Sequence, residues 1–300
     1  MDETTIAVTG SSGLLGSALI ESLRGAGTRI LRLVRQCPQN PDEAFWDPAG
    51  GVLAPAVLEG VDAVVHLAGA SVGDRRWTPE YKRKLLASRV AGTRTLTKAL
   101  AALDKKPRVL LSGSAVGFYG DTGDQAVDET APAGQGFLAG LAREWEQAAK
   151  PAERAGIRVV RLRTGFVVSG HGGALGRLIP IFRMGAGAVL GSGTQYMSWI
   201  SLPDWVSAAR FLLDHEGMSG PVNLTAPEPV TNAEFTRELA KALHRPTMPV
   251  PAPAFALRLA LGEFAQEGLL IGQRALPRRL LDAGHRFAHP TLGEALAAVL

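Results

Sequence analysis

Cysteine is nearly absent: Cys37 is the only one in 300 residues. A lone cysteine excludes an intrachain disulfide and a cysteine-rich metal site, and no metal is expected. Long apolar runs are missing too, and nothing approaches the charge-free length that spans a bilayer. The chain starts Met1-Asp2-Glu3-Thr4, acidic where a secretory signal would be basic, and no cleavable apolar segment follows. The expected location is therefore the cytoplasm, with no membrane partner. Like charge never gathers into a long run, although Lys and Arg outnumber Asp and Glu, 32 to 28. The sequence pI of about 9.4 is the one feature that points to nucleic acid. With basic residues so spread, a small molecule is the expected partner instead. The densest patch is Arg75-Arg76, then Lys82-Arg83-Lys84 and Arg89. It is either a solvated helix face or the neighbour of a phosphate-rich cofactor. Tyrosine is scarce as well: Tyr81, Tyr119 and Tyr196 are the three. Leu85, Gly123 and Ile200 stand four positions beyond them, so the chain contains no Tyr-x-x-x-Lys.

What is present reads as a globular protein, 46% hydrophobic and 20% charged. Its length suffices for one large core or two coupled units. The organising stretch is Thr4-Thr5-Ile6-Ala7-Val8-Thr9-Gly10-Ser11-Ser12-Gly13-Leu14-Leu15-Gly16. A short apolar run predicts a buried strand, and Ala18, Leu19 and Leu23 then recur at helical spacing. Strand, glycine turn and helix together place a diphosphate on a helix N-terminus, where free N–H groups and the helix dipole favour negative charge. Gly10 would permit the tight turn, Gly13 the approach of the diphosphate, and Gly16 close helix-to-strand packing. The spacing is G-x-x-G-x-x-G, and the alternative is a merely structural strand-to-helix turn.

Thr28 to Val34 predicts a second strand, ending at Arg35. An acidic residue at this point selects NAD, whereas a basic one accommodates the 2′-phosphate of NADP. Arg32 and Arg35 stand here, with no carboxylate before Asp42. A guanidinium fork suits a phosphate, so NADP(H) is the expected cofactor. The alternative is a surface arginine at a strand end. Cys37 to Leu58 predicts a loop with a short hairpin, anchored by Phe45 and Trp46. Val61 to Gly69 predicts a buried strand whose carboxyl edge lies beside the cofactor, with His66 as a packed, hydrogen-bonded residue. Thr78 and Pro79 suit the start of a long helix carrying Leu86, Val90, Thr93, Leu96, Leu100 and Leu103 on one face. Arg89 lies near that face and calls for a phosphate or carboxylate partner.

Pro107 to Ser114 predicts a strand, Phe137 to Ala155 a helix and Ile157 to Arg163 a further strand. This alternation implies an α/β fold, a doubly wound parallel sheet covered on both faces. Beyond Phe166 the pattern changes. His171 falls in a glycine-rich loop, Leu175 to Phe182 predicts a short helix, and Pro203 to Leu213 another. Val222-Asn223-Leu224 predicts a strand, and Thr231 to Glu234 a capped helix start. After a proline-rich connector, two or three helices finish the chain, with Arg274, Arg278 and Arg279 on one of them. The expected division is a dinucleotide-binding unit over 1–168, to which 203–228 returns. A smaller substrate-covering region is expected over 169–202 and 229–300.

The order of Thr9-Gly10-Ser11-Ser12-Gly13-Leu14-Leu15-Gly16, Val61 to Gly69, Gly92-Thr93, Phe118-Tyr119-Gly120 and Pro221-Val222-Asn223 resembles the extended short-chain dehydrogenase/reductase family, which includes nucleotide-sugar epimerases. Arg75 to Tyr81, Gly191-Ser192-Gly193, Met197 to Ile200 and Thr225 to Phe235 are similar to its atypical epimerase-family branch, the SDR39-type proteins with a C-terminal DUF1731-like region. The resemblance implies a Rossmann fold holding a nicotinamide cofactor, with the substrate in a cleft under the C-terminal part. It carries Gly10, Ser12, Gly13, Leu14, Leu15, Gly16, Arg35, Leu67, Ala68, Gly69 and Arg89 into cofactor contact. Ser112, Gly165 and Phe166 are further carry-overs.

The same resemblance makes the missing Tyr-x-x-x-Lys important. In the family that lysine lowers the tyrosine pKa, and the phenol exchanges a proton as hydride moves. Here the corresponding helix reads Phe137-Leu138-Ala139-Gly140-Leu141-Ala142-Arg143-Glu144-Trp145-Glu146. Tyr119 and Ser114 remain as catalytic candidates, with packing in the pocket wall as the alternative for Tyr119. Tyr196 and Trp199 are expected either to line the substrate cleft beside Tyr119 or to pack in the core. Two functions stay open: an NADP(H)-dependent oxidoreductase or epimerase-like enzyme with rearranged acid–base groups, or a non-catalytic NADP(H)-binding sensor.

Overall fold

The computed structural model describes residues 4–300. Residues 1–3, and with them the start of the expected 1–168 unit, lie outside the described residues. The first half alternates as the spacing requires: β1 (Thr5–Thr9), α1 (Leu14–Arg24), β2 (Arg29–Val34), β3 (Glu43–Phe45), β4 (Ala63–His66), α2 (Pro79–Ala101), β5 (Val109–Ala115), β6 (Ala126–Val127), α3 (Phe137–Ala148), α4 (Lys150–Arg154) and β7 (Arg158–Thr164). The second half runs β8 (Phe166–Val168), α5 (Gly173–Arg183), β9 (Tyr196–Met197), β10 (Trp199–Ser201), α6 (Leu202–Asp214), β11 (Gly220–Leu224), β12 (Val230–Thr231) and α7 (Asn232–Ala242). It closes with α8 (Ala254–Leu261), α9 (Glu263–Gly268), β13 (Arg274–Ala275), α10 (Arg278–Asp282) and α11 (Leu292–Val299).

Seven strands form the central sheet in the order β11-β7-β5-β4-β1-β2-β3, every pair parallel. The order reverses at β1, so its carboxyl end opens into the crevice where doubly wound folds bind ligands. Alternate residues of each strand feed opposite faces. Ile6, Val8, Val65 and Leu111 pack under α1 and α6 with Leu19, Trp205 and Leu212. Ala7, Val64 and Leu110 pack under α2 and α4 with Leu96, Leu100 and Ala152. A third cluster, with Trp199, Phe182, Phe235 and Leu296, joins α5, α7 and α11 beyond the sheet. Thr78 caps α2 by accepting from the Tyr81 N–H, with Pro79 in the first turn. Thr231 and Glu234 close a capping box on α7. Among the described residues no helix is long and apolar enough to cross a membrane.

Several expectations need correction. The Cys37–Leu58 stretch holds the Asp47–Val52 antiparallel bridge of a hairpin, but also β3, which extends the sheet beyond β2. Of its two aromatics only Trp46 is an anchor; Phe45 is 45% exposed. The helix predicted over 137–155 breaks at Ala149, because Pro151 offers no N–H to the carbonyl one turn back. Four helices, α8 to α11, finish the chain. Arg274 is on β13, which pairs with β6, and only Arg278 and Arg279 are on α10.

Candidate active site

The crevice begins with β1. Gly10 turns the chain with φ of +68°, and a Cβ there would meet the Leu67 carbonyl carbon at 2.8 Å and the Ala68 nitrogen at 2.9 Å. The glycine loop therefore presses on the loop after β4. Thr9 joins the two: its Oγ1 accepts from the N–H of Leu67 (3.1 Å) and of Ala68 (3.2 Å). Gly13 opens α1 with no side-chain cap, leaving that helix start for an outside anion. Ser12 and Gly13 are exposed, and Leu14 and Leu15 are half-buried. On the far side Leu14 Cδ2 lies 2.9 Å from where a Cβ of Gly173 would be, so the start of α5 borders the loop.

At the tip of β2 the two arginines separate. Arg32 is ion-paired with Glu43 on β3. Arg35 is exposed and makes no ion pair among the described residues.

Arg89, nearer the crevice floor, also makes no ion pair among the described residues. It is half-buried on α2, beside Gly69, whose Cβ would lie 3.3 Å from Arg89 Cζ. Its guanidinium stacks over the Trp145 ring at 5.0 Å and reaches the Leu85 carbonyl only at 3.4 Å. Burial lowers its pKa to about 10, so it stays charged near neutrality. Among the described residues no carboxylate pairs with it, leaving a desolvated cation without a partner. The rest of the basic patch is ordinary surface: Arg75, Arg76, Arg83 and Lys84 are exposed, and Lys82 is salt-bridged to Glu263. Trp145 carried no signal in the sequence; only the fold puts it under Arg89.

The remaining expected contacts sit in the following surroundings. Ser112 is fully buried, and its Oγ has no hydrogen-bond partner among the described residues. Gly165 is needed for packing, since a Cβ would come within 2.4 Å of the Ser198 carbonyl oxygen. Phe166 is half-buried with its ring edge-on to Phe235 at 5.3 Å. Trp199 is core, not cleft: it is fully buried, and its indole N–H donates to the Glu228 carbonyl at 2.9 Å. Tyr196 is half-buried on β9 under the Arg274 guanidinium, 4.8 Å from the ring centre.

Both catalytic candidates are sealed in one buried network. The Tyr119 phenol donates to Asn223 Oδ1 (2.7 Å) and accepts from Arg163 Nη1 (2.9 Å). Burial pushes its pKa up to about 12. Ser114 donates to Glu146 Oε1 at 2.8 Å, and Arg163 holds both oxygens of the same carboxylate at 2.7 and 3.0 Å. A phenol with raised pKa and two protein partners is poorly placed to exchange a proton with substrate. Exposed His171 and the buried, hydrogen-bonded His66 stand as the spacing predicted.

A parallel sheet reversing at β1, a glycine turn into an uncapped helix and two free arginines define a dinucleotide-binding Rossmann protein. The NAD dependent epimerase/dehydratase family matches residues 6–224, and a domain of unknown function, DUF1731, matches residues 252–299. The chain belongs to that epimerase/dehydratase family. It is 51% identical to the epimerase family protein Mb2239 of Mycobacterium bovis, over 99% of this chain and 97% of the relative. It is 36% identical to the chloroplastic SDR39U1 homolog of Arabidopsis thaliana, over 99% of this chain and 87% of the relative. Among solved structures, human epimerase family protein SDR39U1 with NADPH superimposes with a TM-score of 0.89 at 30% identity, covering 99% of each chain.

Proposed function

We propose that the protein binds NADP(H) in the β1 crevice and acts as an oxidoreductase or epimerase-like enzyme on a small molecule under the C-terminal region. The carrying observation is the division of labour at β2, where Glu43 neutralises Arg32 and leaves Arg35 free for a 2′-phosphate. The NADPH named with the human relative supports the same choice. Gly10, Ser12, Gly13, Leu14, Leu15 and Gly16 would cradle the diphosphate, and Leu67, Ala68 and Gly69 would floor the crevice. Arg89, desolvated and lacking a carboxylate, would hold a phosphate or ribose oxygen. A bound nicotinamide supplies the hydride chemistry. In this reading 1–168 with 203–228 form the cofactor unit, and 169–202 with 229–300 cover the substrate.

A second reading is favoured by the sealing of Tyr119 and Ser114: an NADP(H)-binding sensor without turnover. Calorimetry on ligand-stripped protein tests the shared part. Heat of association with NADP⁺ or NADPH, and much weaker heat with NAD⁺ or NADH, is expected; no heat with either phosphorylated form rejects both. NADPH oxidation across a carbonyl library then separates them, since turnover removes the sensor reading.

A further inference from the structure

The hydrogen-bond geometry around His66 favours one arrangement of the protons in its chain. Thr9 Oγ1 has one proton and two lone pairs. The Leu67 and Ala68 N–H groups, which can only donate, face its lone pairs at 3.1 and 3.2 Å, the Leu67 N–H being shared with the Thr9 carbonyl at 3.3 Å. The Thr9 proton is left for His66 Nδ1, 2.7 Å away. An imidazole accepting at Nδ1 carries its proton on Nε2. That N–H donates to Thr93 Oγ1 at 2.9 Å, and Thr93 passes its own proton to the Arg89 carbonyl at 2.6 Å. The donors run one way, from the loop after β4, through β1 and β4, into the turn of α2 that carries Arg89.

We propose that His66, neutral and protonated on Nε2, is a positioning residue that locks the Arg89 turn of α2 to the Leu67–Ala68 loop. The proposal rests on the reading of that loop and of Arg89 as cofactor contacts. His66 touches no ligand itself: it is fully buried and stands edge-on to Trp46, with 6.0 Å between ring centres. Its effect is geometric. Arg89 reaches the space beside Gly69 only if its turn keeps its height against the sheet, and the His66–Thr93 bond ties that turn to the strand as the Ala70 N–H to Ser88 Oγ bond, at 3.1 Å, ties it to the loop. Burial holds the imidazole pKa down to about 4, in keeping with a ring that stays neutral.

The test uses the full chain and NADPH and NADH as probes. Thr93→Val removes the acceptor of His66 Nε2–H at nearly constant shape, and Thr93→Ser restores it. The expectation is about tenfold weaker binding of both cofactors by Thr93→Val, the cost of one unsatisfied buried donor, and recovery in Thr93→Ser. Equal loss for both cofactors separates this effect from the 2′-phosphate site. Nitrogen-15 NMR of the wild-type ring should show the proton on Nε2 alone. Wild-type affinity in Thr93→Val, or a proton on Nδ1, overturns the proposal. If Thr93→Val does not fold, the NMR result on the wild type decides. A wild type that binds neither cofactor rejects the cofactor reading itself, and this inference with it.

Discussion

A Cβ on Gly16 would lie 2.2 Å from the carbonyl oxygen of Gly10. The first turn of α1 is thus in backbone contact with the glycine loop, and no side chain fits between them. Gly16→Ala must push the loop outward, costing about 1–3 kcal/mol as overpacking does. The displaced loop should also bind NADPH more weakly. Urea unfolding and calorimetry check the two effects; an unchanged midpoint would mean that the contact relaxes freely.

Arg35 and Arg32 are three residues apart, but only Arg32 has an ion-pair partner among the described residues, and the proposed phosphate role separates them further. Arg35→Asp should weaken NADPH roughly tenfold or more and leave NADH nearly unchanged, since only the former carries the phosphate. Arg32→Ala instead frees Glu43 at the sheet edge, where its charge would repel a nearby phosphate, so its effect should be smaller but also specific to NADPH. Titrations of both variants with both cofactors measure this. An equal loss of NADPH and NADH in Arg35→Asp would remove Arg35 from the site.

The parallel sheet was legible because each strand is a short apolar run between glycine turns and amphipathic helices, and Thr9 to Gly16 gave the crevice its position. Strand β3 was not legible. Glu43-Ala44-Phe45 has one buried residue, and it joins β2 through backbone hydrogen bonds and an ion pair to Arg32 that no local pattern announces. Trp199 shows the same limit for the site. An aromatic near a glycine-rich segment reads equally as pocket or core, and only the packing of α5, α7 and α11 decides for core. Arg89 was recognisable as a misplaced charge, but its support on Trp145 comes from a helix 56 residues on, as the numbering of the two shows.

The Tyr119 hydroxyl is held between Asn223 and Arg163 in the buried network. Tyr119→Phe leaves Arg163 Nη1 and Asn223 Oδ1 short of a partner inside the protein, a loss of about 1–3 kcal/mol. Glu146→Gln should cost more, roughly 3–5 kcal/mol, because Arg163 would be a buried guanidinium without its countercharge. NADPH affinity should survive Tyr119→Phe while thermal unfolding falls. A selective loss of turnover in Tyr119→Phe at unchanged stability would return the phenol to the catalytic role.

His66 also makes stability depend on pH in a defined window. Burial lowers its pKa from 6.5 to about 4 in the folded protein. Between those values the unfolded chain binds a proton that the native state refuses, so stability rises with pH there. The contribution is complete above 6.5 and is lost as pH falls toward about 4. The shift corresponds to roughly 3 kcal/mol. His285, also lowered by burial, adds the same sign. Glu129, raised by burial, acts oppositely, and its loss of stability with rising pH begins from the ordinary carboxylate range. His66→Gln separates these, since an amide can accept from Thr9 and donate to Thr93 without titrating. Urea midpoints taken between about pH 7 and about pH 5 should fall for the wild type and much less for His66→Gln. Parallel slopes in the two proteins would mean that the native ring takes up its proton as readily as the unfolded chain, and would remove His66 as the source of the pH dependence.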